Sequence, residues 1–153
     1  MEVRRGRAWN RPIPNGEGDY GEFYAACAEG RLLVQRCPAC DHRQFYPRPV
    51  CTRCGATPEW LECAGTGTVH TYTIIRQYRA EPFGSEVPYA LAMIDLPEGP
   101  RIFGPITDVD VDDVHIDMPV EAYAVEFEEG RAVPQWRPRA SEATAATAGD
   151  RGR

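Results

Sequence analysis

Cys37-Pro38-Ala39-Cys40, then ten residues, then Cys51-Thr52-Arg53-Cys54-Gly55 is the stretch on which the fold turns. Each pair, with two residues between its thiols, makes a tight knuckle that aims both sulfurs at one point. The intervening ten residues are enough for a hairpin that carries the second knuckle back onto the first. Four thiolates at one centre complete a tetrahedral shell with no open position, so the spacing predicts a zinc ribbon with one structural zinc on Cys37, Cys40, Cys51 and Cys54. Iron is the alternative metal, because a tetrahedral sulfur shell accepts either, and an iron site would make the chain a rubredoxin-like electron carrier. Unmetallated thiols explain the pairs poorly, since so little apolar sequence lies beside them that the knuckles need a metal to fold.

The rest of the composition fits that reading. The chain has 153 residues with 42% hydrophobic, enough for one domain or two very small ones sharing a core. No apolar run approaches the roughly 20 residues of a membrane helix, and Met1-Glu2-Val3-Arg4-Arg5-Gly6-Arg7 leads into Ala8-Trp9-Asn10-Arg11-Pro12 without the apolar core of a signal peptide. A cytoplasmic location with no membrane contact is therefore expected, and there six cysteines stay reduced rather than pair as disulfides. The net charge of -6 is unevenly spread. Residues 1–54 hold nine Arg against six acids, whereas residues 55–139 hold six Arg against fifteen acids. The second half repels phosphate backbones, which weighs against nucleic-acid binding.

Upstream of the knuckles, residues 1–18 are rich in Arg, Pro and Gly without periodicity and read as an extended arm. A short helix is expected over 19–29. Asp19-Tyr20-Gly21-Glu22 resembles a capping box, Gly30 suits the position just past a helix end, and Tyr20, Phe23, Tyr24 and Cys27 share one face. Arg31 to Arg36 is a short strand delivering the chain to Cys37. Beyond the ribbon, Gly65-Thr66-Gly67-Thr68 opens a long strand predicted over Val69 to Tyr78. Further strands are expected at Tyr89 to Leu96, Arg101 to Ile106, Val120 to Phe127 and Arg131 to Trp136. Pro97-Glu98-Gly99-Pro100 and Glu128-Glu129-Gly130 join hairpin partners, while the acidic stretch Asp108 to Asp117 is a longer crossing. Five strands in this pattern predict an OB-type Greek-key barrel. The expected fold is thus mainly β, with a short N-terminal helix, a rubredoxin-like zinc ribbon and a five-stranded OB-fold barrel. The expected divisions are an arm over 1–18, helix and ribbon over 19–62, the barrel over 63–138 and a disordered tail over 139–153.

In that order, several pieces resemble the zinc-ribbon plus OB-fold family called domain of unknown function 35, associated with acyl-CoA metabolism. They are Glu29-Gly30-Arg31-Leu32, Gln35-Arg36-Cys37-Pro38-Ala39-Cys40, Gln44-Phe45-Tyr46-Pro47-Arg48-Pro49-Val50-Cys51, Gly65-Thr66-Gly67-Thr68-Val69, Met118-Pro119-Val120 and Arg137-Pro138. The resemblance implies a non-catalytic accessory subunit in a hetero-oligomer. Its partner would be a thiolase-superfamily enzyme or an acyl-CoA hydratase, whose complex and acyl-CoA channel it helps to form.

No catalytic constellation stands out. Cys63, His70 and an acid make a triad only on paper, because the two lie seven residues apart in a strand-and-turn segment. Cys27 reads as a small buried hydrophobe, and Asp110, Asp112 and Asp113 lack the glycine and terminal glutamate of a calcium loop. A single-stranded nucleic-acid binder is the other alternative, with Tyr72, Tyr78, Tyr89 and Phe103 as stacking platforms. For a protein partner, Tyr20, Phe23, Tyr24, Phe45 and Tyr46 are the expected contacts, because a zinc ribbon is too thin to bury so many aromatics, and Arg48 is placed to pair with a CoA phosphate. The competing reading is that these aromatics cover the seam between ribbon and barrel.

Overall fold

Leu32, Leu33, Val34 and Gln35 are buried in succession, with no alternation, because the strand they form is covered on both faces. The computed structural model describes residues 1–6 and 8–139, so nearly all of the expected disordered tail falls outside the described residues. The elements in chain order are β1 (Val3–Arg4), α1 (Asp19–Ala28), β2 (Leu32–Arg36), β3 (Arg43–Gln44), β4 (Glu59–Cys63), β5 (Thr66–Ile75), β6 (Tyr89–Asp95), β7 (Arg101–Ile106), β8 (Pro119–Glu128) and β9 (Arg131–Pro138). No helix among the described residues is long and apolar enough to cross a membrane.

Two sheets result. The ribbon sheet has the order β3-β2-β4 and is antiparallel throughout, with Leu32 opposite Cys63 and Arg36 opposite Glu59. In the larger sheet, β8-β5-β6-β7-β9 closes on itself through the β8–β9 hairpin, making a five-stranded OB barrel whose parallel contact is Ile106 opposite Trp136. Closure removes the free edges of the sheet. The strand alternation places Ala90, Ala92 and Ile94 of β6 inward, and Ala122, Ala124 and Ala132 join them in the core. These small side chains leave room for Trp136, which is fully buried. Gly104 lies against its indole, and a Cβ there would stand 2.9 Å from Trp136 Cδ1, so the β7 position has no space for a side chain.

Several expectations shift in detail. The capping box does not form: Gly18, with φ 58°, is the N-cap, and Asp19 and Glu22 lie in the first turn, where their charge favours the helix dipole. The other end is as expected. Gly30 takes φ 82°, its N–H donates to the Cys27 carbonyl at 3.0 Å, and the Arg31 N–H donates to Ala26 at 2.9 Å, the paired bonds of a Schellman stop. The first barrel strand starts three residues earlier than expected, because Gly67 lets β5 approach β6 closely: a Cβ there would meet Ile94 Cγ2 at 2.6 Å and the Asp95 carbonyl at 2.7 Å; the strand ends at Ile75, three residues before the expected Tyr78. Strand β4 was not anticipated, since Glu59-Trp60-Leu61-Glu62-Cys63 shows no alternation and owes its conformation to pairing with β2. The acidic crossing is packed on the core rather than a bare loop. Val114 within it and Met118 just after it are buried in the core, while Asp110 accepts a hydrogen bond from the Asp112 N–H at 2.9 Å.

The N-terminal arm lies on the barrel. Val3 and Arg4 pair in parallel with Ala124 and Val125 of β8, and the Arg4 guanidinium sits 3.9 Å from the centre of the Tyr123 ring.

Candidate metal centre and aromatic seam

The two knuckles are built alike. Cys37 accepts at its carbonyl from the Asp41 N–H (2.8 Å), and Cys51 accepts from the Gly55 N–H (2.9 Å), so each pair closes one tight loop. Both loops exit through a residue with positive φ, Asp41 at 56° and Gly55 at 78°. Asp and Gly are among the residue types that enter this region at least cost. The Cys37 and Cys51 N–H groups then donate to His42 and Ala56 at 2.8 Å each, which locks both knuckles to the strands that follow.

This geometry gathers the four sulfurs of Cys37, Cys40, Cys51 and Cys54 within 4.8 Å of one another. Cys37 and Cys54 are 3.5 Å apart and Cys40 and Cys51 3.7 Å, well beyond a disulfide bond of about 2.05 Å. They are close to the ~3.8 Å edge of a tetrahedron with ~2.3 Å metal–sulfur bonds. The donor set therefore fits one structural zinc with its coordination complete. Burial raises the Cys51 thiol pKa, but the Arg53 and Cys54 N–H groups and the neighbouring thiols outweigh it and hold the thiol below the ordinary cysteine range, while at Cys54 the Ala56 N–H is outweighed by the same cluster of thiols, which pushes that thiol up.

A pair of buried glutamines that the sequence reading passed over holds the centre in place. Gln44 Nε2 donates to Gln35 Oε1 at 2.9 Å and to the Val50 carbonyl at 3.2 Å, and Gln44 Oε1 accepts from the Thr52 N–H at 2.9 Å. Gln35 clamps the backbone of Arg48, accepting from its N–H at 2.8 Å and donating to its carbonyl at 2.9 Å. Together they pin the loop between the knuckles across β2 and β3. The available signal was a glutamine closing the apolar run Leu32-Leu33-Val34, because a polar side chain in a buried strand must find partners. Gln44→Leu is expected to leave the Thr52 N–H without an acceptor, at a cost of about 1–3 kcal/mol. Zinc transfer to a chromogenic chelator should accelerate severalfold while barrel circular dichroism stays constant, and an unchanged rate would show that the clamp is dispensable.

The candidate contact residues do not share one environment. Phe23 is 3% exposed and packs on Phe45, ring centres 5.3 Å apart, while Tyr24 meets Phe127 of β8 edge-on at 5.5 Å and Trp9 of the arm completes the row at 5.7 Å from Phe127. These rings fill the seam between ribbon hairpin, helix and barrel. The expectation that Phe23 faces a partner is corrected on this ground, since its side chain has no free surface. Tyr20 and Tyr46, at 38% and 48% exposure, stand out from the seam, Tyr20 beside half-buried Tyr24 with ring centres 6.2 Å apart and Tyr46 beside half-buried Phe45 at 4.7 Å. Arg48 is exposed, its backbone fixed by Gln35, and its guanidinium makes no hydrogen bond or ion pair among the described residues.

The paper triad does not assemble. Cys63 lies in the ribbon sheet, where burial first and Glu98 second push its thiol up to about 12, while His70 is engaged with Asp95 at 2.9 Å on the outside of the barrel. Burial likewise raises Cys27 to about 12.

A four-thiol ribbon seated on a closed five-stranded barrel defines the class, a zinc-ribbon and OB-fold protein. Residues 25–59 match a family model described as ChsH2, rubredoxin-like zinc ribbon domain, and residues 60–128 match ChsH2, C-terminal OB-fold domain. The chain belongs to the DUF35 family. It is 33% identical over 92 residues to a DUF35 domain-containing scaffold protein of Methanothermobacter thermautotrophicus, an alignment covering 59% of this chain and 68% of the relative. It is 34% identical over 130 residues to a protein named probable enoyl-CoA hydratase alpha subunit of Thermomonospora curvata, covering 84% of this chain but only 40% of that longer protein. Among solved structures, one titled Ltp2-ChsH2(DUF35) aldolase superposes with a TM-score of 0.71 at 32% identity, covering 84% of this chain and 98% of the other.

Proposed function

We propose that the chain is a non-catalytic accessory subunit of an acyl-CoA enzyme, binding a thiolase-superfamily partner and helping to form its acyl-CoA channel. The observation that carries this reading is the likeness to the DUF35 chain of an aldolase assembly over 98% of that chain's length. A hydratase-type partner has separate support in the name of the Thermomonospora curvata relative. In this reading Cys37, Cys40, Cys51 and Cys54 hold one zinc that stiffens the ribbon, and the partner supplies the nucleophile and the acid/base groups. Tyr20, Tyr24, Phe45 and Tyr46 present the contact surface beside the seam, where aromatic side chains bury large area at little entropic cost. Arg48, whose backbone is clamped by Gln35 and whose exposed guanidinium has no partner among the described residues, is the candidate cation for a CoA phosphate.

The test is affinity capture of the tagged full-length chain from its native host, with recovered proteins identified by mass. A thiolase-superfamily or acyl-CoA hydratase protein in roughly stoichiometric amount, with acyl-CoA turnover in the complex and none in the pure chain, is the expected result. Turnover by the pure chain that disappears in Cys63→Ala would overturn the non-catalytic assignment.

A further inference from the structure

Between the arm and the barrel wall runs a groove of about 610 Å³ that lies apart from the metal centre and shares only Trp9 with the aromatic seam. Its floor is the outer face of the barrel, including Leu91, Tyr123, Val125 and Gln135. Trp9 stands on the arm side, and Phe83, from the segment joining β5 to β6, stands opposite. The volume lies within the roughly 300–1,000 Å³ of small-molecule sites, which are mostly apolar with a few placed polar groups.

Two features define what such a site would take. The first is charge. Among the described residues, the charged side chains lining the groove are Arg4, Arg11, Glu86 and Asp108, and each is already paired. Arg4 Nη2 holds Asp108 at 2.6 Å, and Arg11 is paired with Glu86. The Arg4 hydrogen bond holds the Asp108 carboxyl below the usual carboxylate range, so that pair persists at neutral pH. A phosphate or carboxylate in the groove would find no spare cation among the described residues and would have to break one of these pairs. The second feature is Gln135, only 7% exposed. One end of its amide is bonded to the Tyr123 hydroxyl at 2.7 Å, and that hydroxyl also bonds Thr107 Oγ1 at 2.7 Å. The other end has no hydrogen-bond partner among the described residues and is left to the groove that Gln135 lines. Exchanging the amide oxygen and nitrogen changes only whether the free end donates or accepts.

We propose that this groove binds a neutral, largely apolar small molecule carrying one hydroxyl or carbonyl group, its body against Leu91, Val125, Phe83 and Trp9 and its polar group on the free end of the Gln135 amide. The arm is then a wall of a binding site, and the inference stands independently of the accessory-subunit reading.

The zinc-loaded full chain, labelled with ¹⁵N, is titrated with 1-decanol, 2-decanone and, as the anion of equal length, decanoate. Saturable shifts of the Gln135 side-chain amide and the Trp9 indole N–H are expected for the alcohol or the ketone at Kd below about 1 mM, with decanoate about tenfold weaker or worse. Leu91→Trp, which fills the floor, should remove the shifts, and Gln135→Leu should weaken the preferred neutral probe about tenfold while zinc content is retained. Should a variant fold poorly, intermolecular NOEs from the decyl chain to the Trp9 indole in the unaltered protein decide the matter. Absence of saturable shifts and NOEs for both neutral probes, or binding of decanoate as tight as theirs, overturns the proposal.

Discussion

Cys51→Ser is expected to emerge from metal-replete expression with less than roughly half an equivalent of zinc, where the unaltered chain carries one. Cys51 is buried, and its sulfur sits 3.7 Å from that of Cys40, so the shorter serine oxygen is a poor donor to a centre sized for sulfur. Structural zinc in small ribbons and fingers contributes about 10–16 kcal/mol of apparent free energy. The sheet contact between β2 and β3 is only Gln35 opposite Gln44 and Arg36 opposite Arg43, far too little to hold two knuckles without it. Proteolysis should then cut within residues 37–58. Circular dichroism of the barrel should survive, because Trp136, Ile94, Ile102 and Val120 belong to a core the zinc does not touch. A Cys51→Ser protein with a full equivalent of zinc and a protease-resistant ribbon would remove the metal assignment. A colourless native protein with one zinc would also exclude the iron alternative, since iron thiolates absorb visible light.

Phe23→Ala should be strongly destabilising without touching the metal shell. Phe23 is buried, 5.3 Å from Phe45 and 5.6 Å from Tyr24, and truncating a core phenylalanine costs about 3–5 kcal/mol. For a domain of this size that lowers Tm by roughly 10 °C or more. Tyr46→Ala, at a half-exposed ring, should stay within about 1 kcal/mol of the unaltered chain. The pair of variants separates the two readings of the aromatic cluster. In the proposed arrangement Tyr46→Ala weakens partner affinity about tenfold or more at unchanged Tm and zinc content, whereas Phe23→Ala acts only through stability. If Phe23→Ala melts like the unaltered chain, the seam is not packed as described. If Tyr46→Ala binds the partner normally, the contact surface lies elsewhere on the molecule.

How much of this was legible beforehand follows from the range of the interactions involved. The metal centre could be read because a knuckle is local: two residues between thiols fix its shape, and Asp41 and Gly55 supply the positive φ it needs. The helix stop at Gly30 and the hairpin turn at Gly99, φ 112°, were legible for the same reason. Four of the five barrel strands followed from short apolar runs between turn residues, with ends displaced by two residues or fewer. Strand β4 was not legible, because its pattern is indifferent and its partner β2 lies some thirty residues earlier. Nor was the split between Phe23 and Tyr46, two aromatics of similar hydrophobic character. One is buried and the other exposed because helix, ribbon hairpin and β8 meet at a seam that no local rule describes. The glutamine clamp and the groove belong with these. Gln35, Gln44 and Gln135 are ordinary polar residues in the chain and acquire their roles only when strands far apart in sequence bury them beside particular partners. Backbone conformation at a turn or knuckle is set by a few adjacent residues, whereas burial and hydrogen-bond satisfaction depend on every element packed around a side chain.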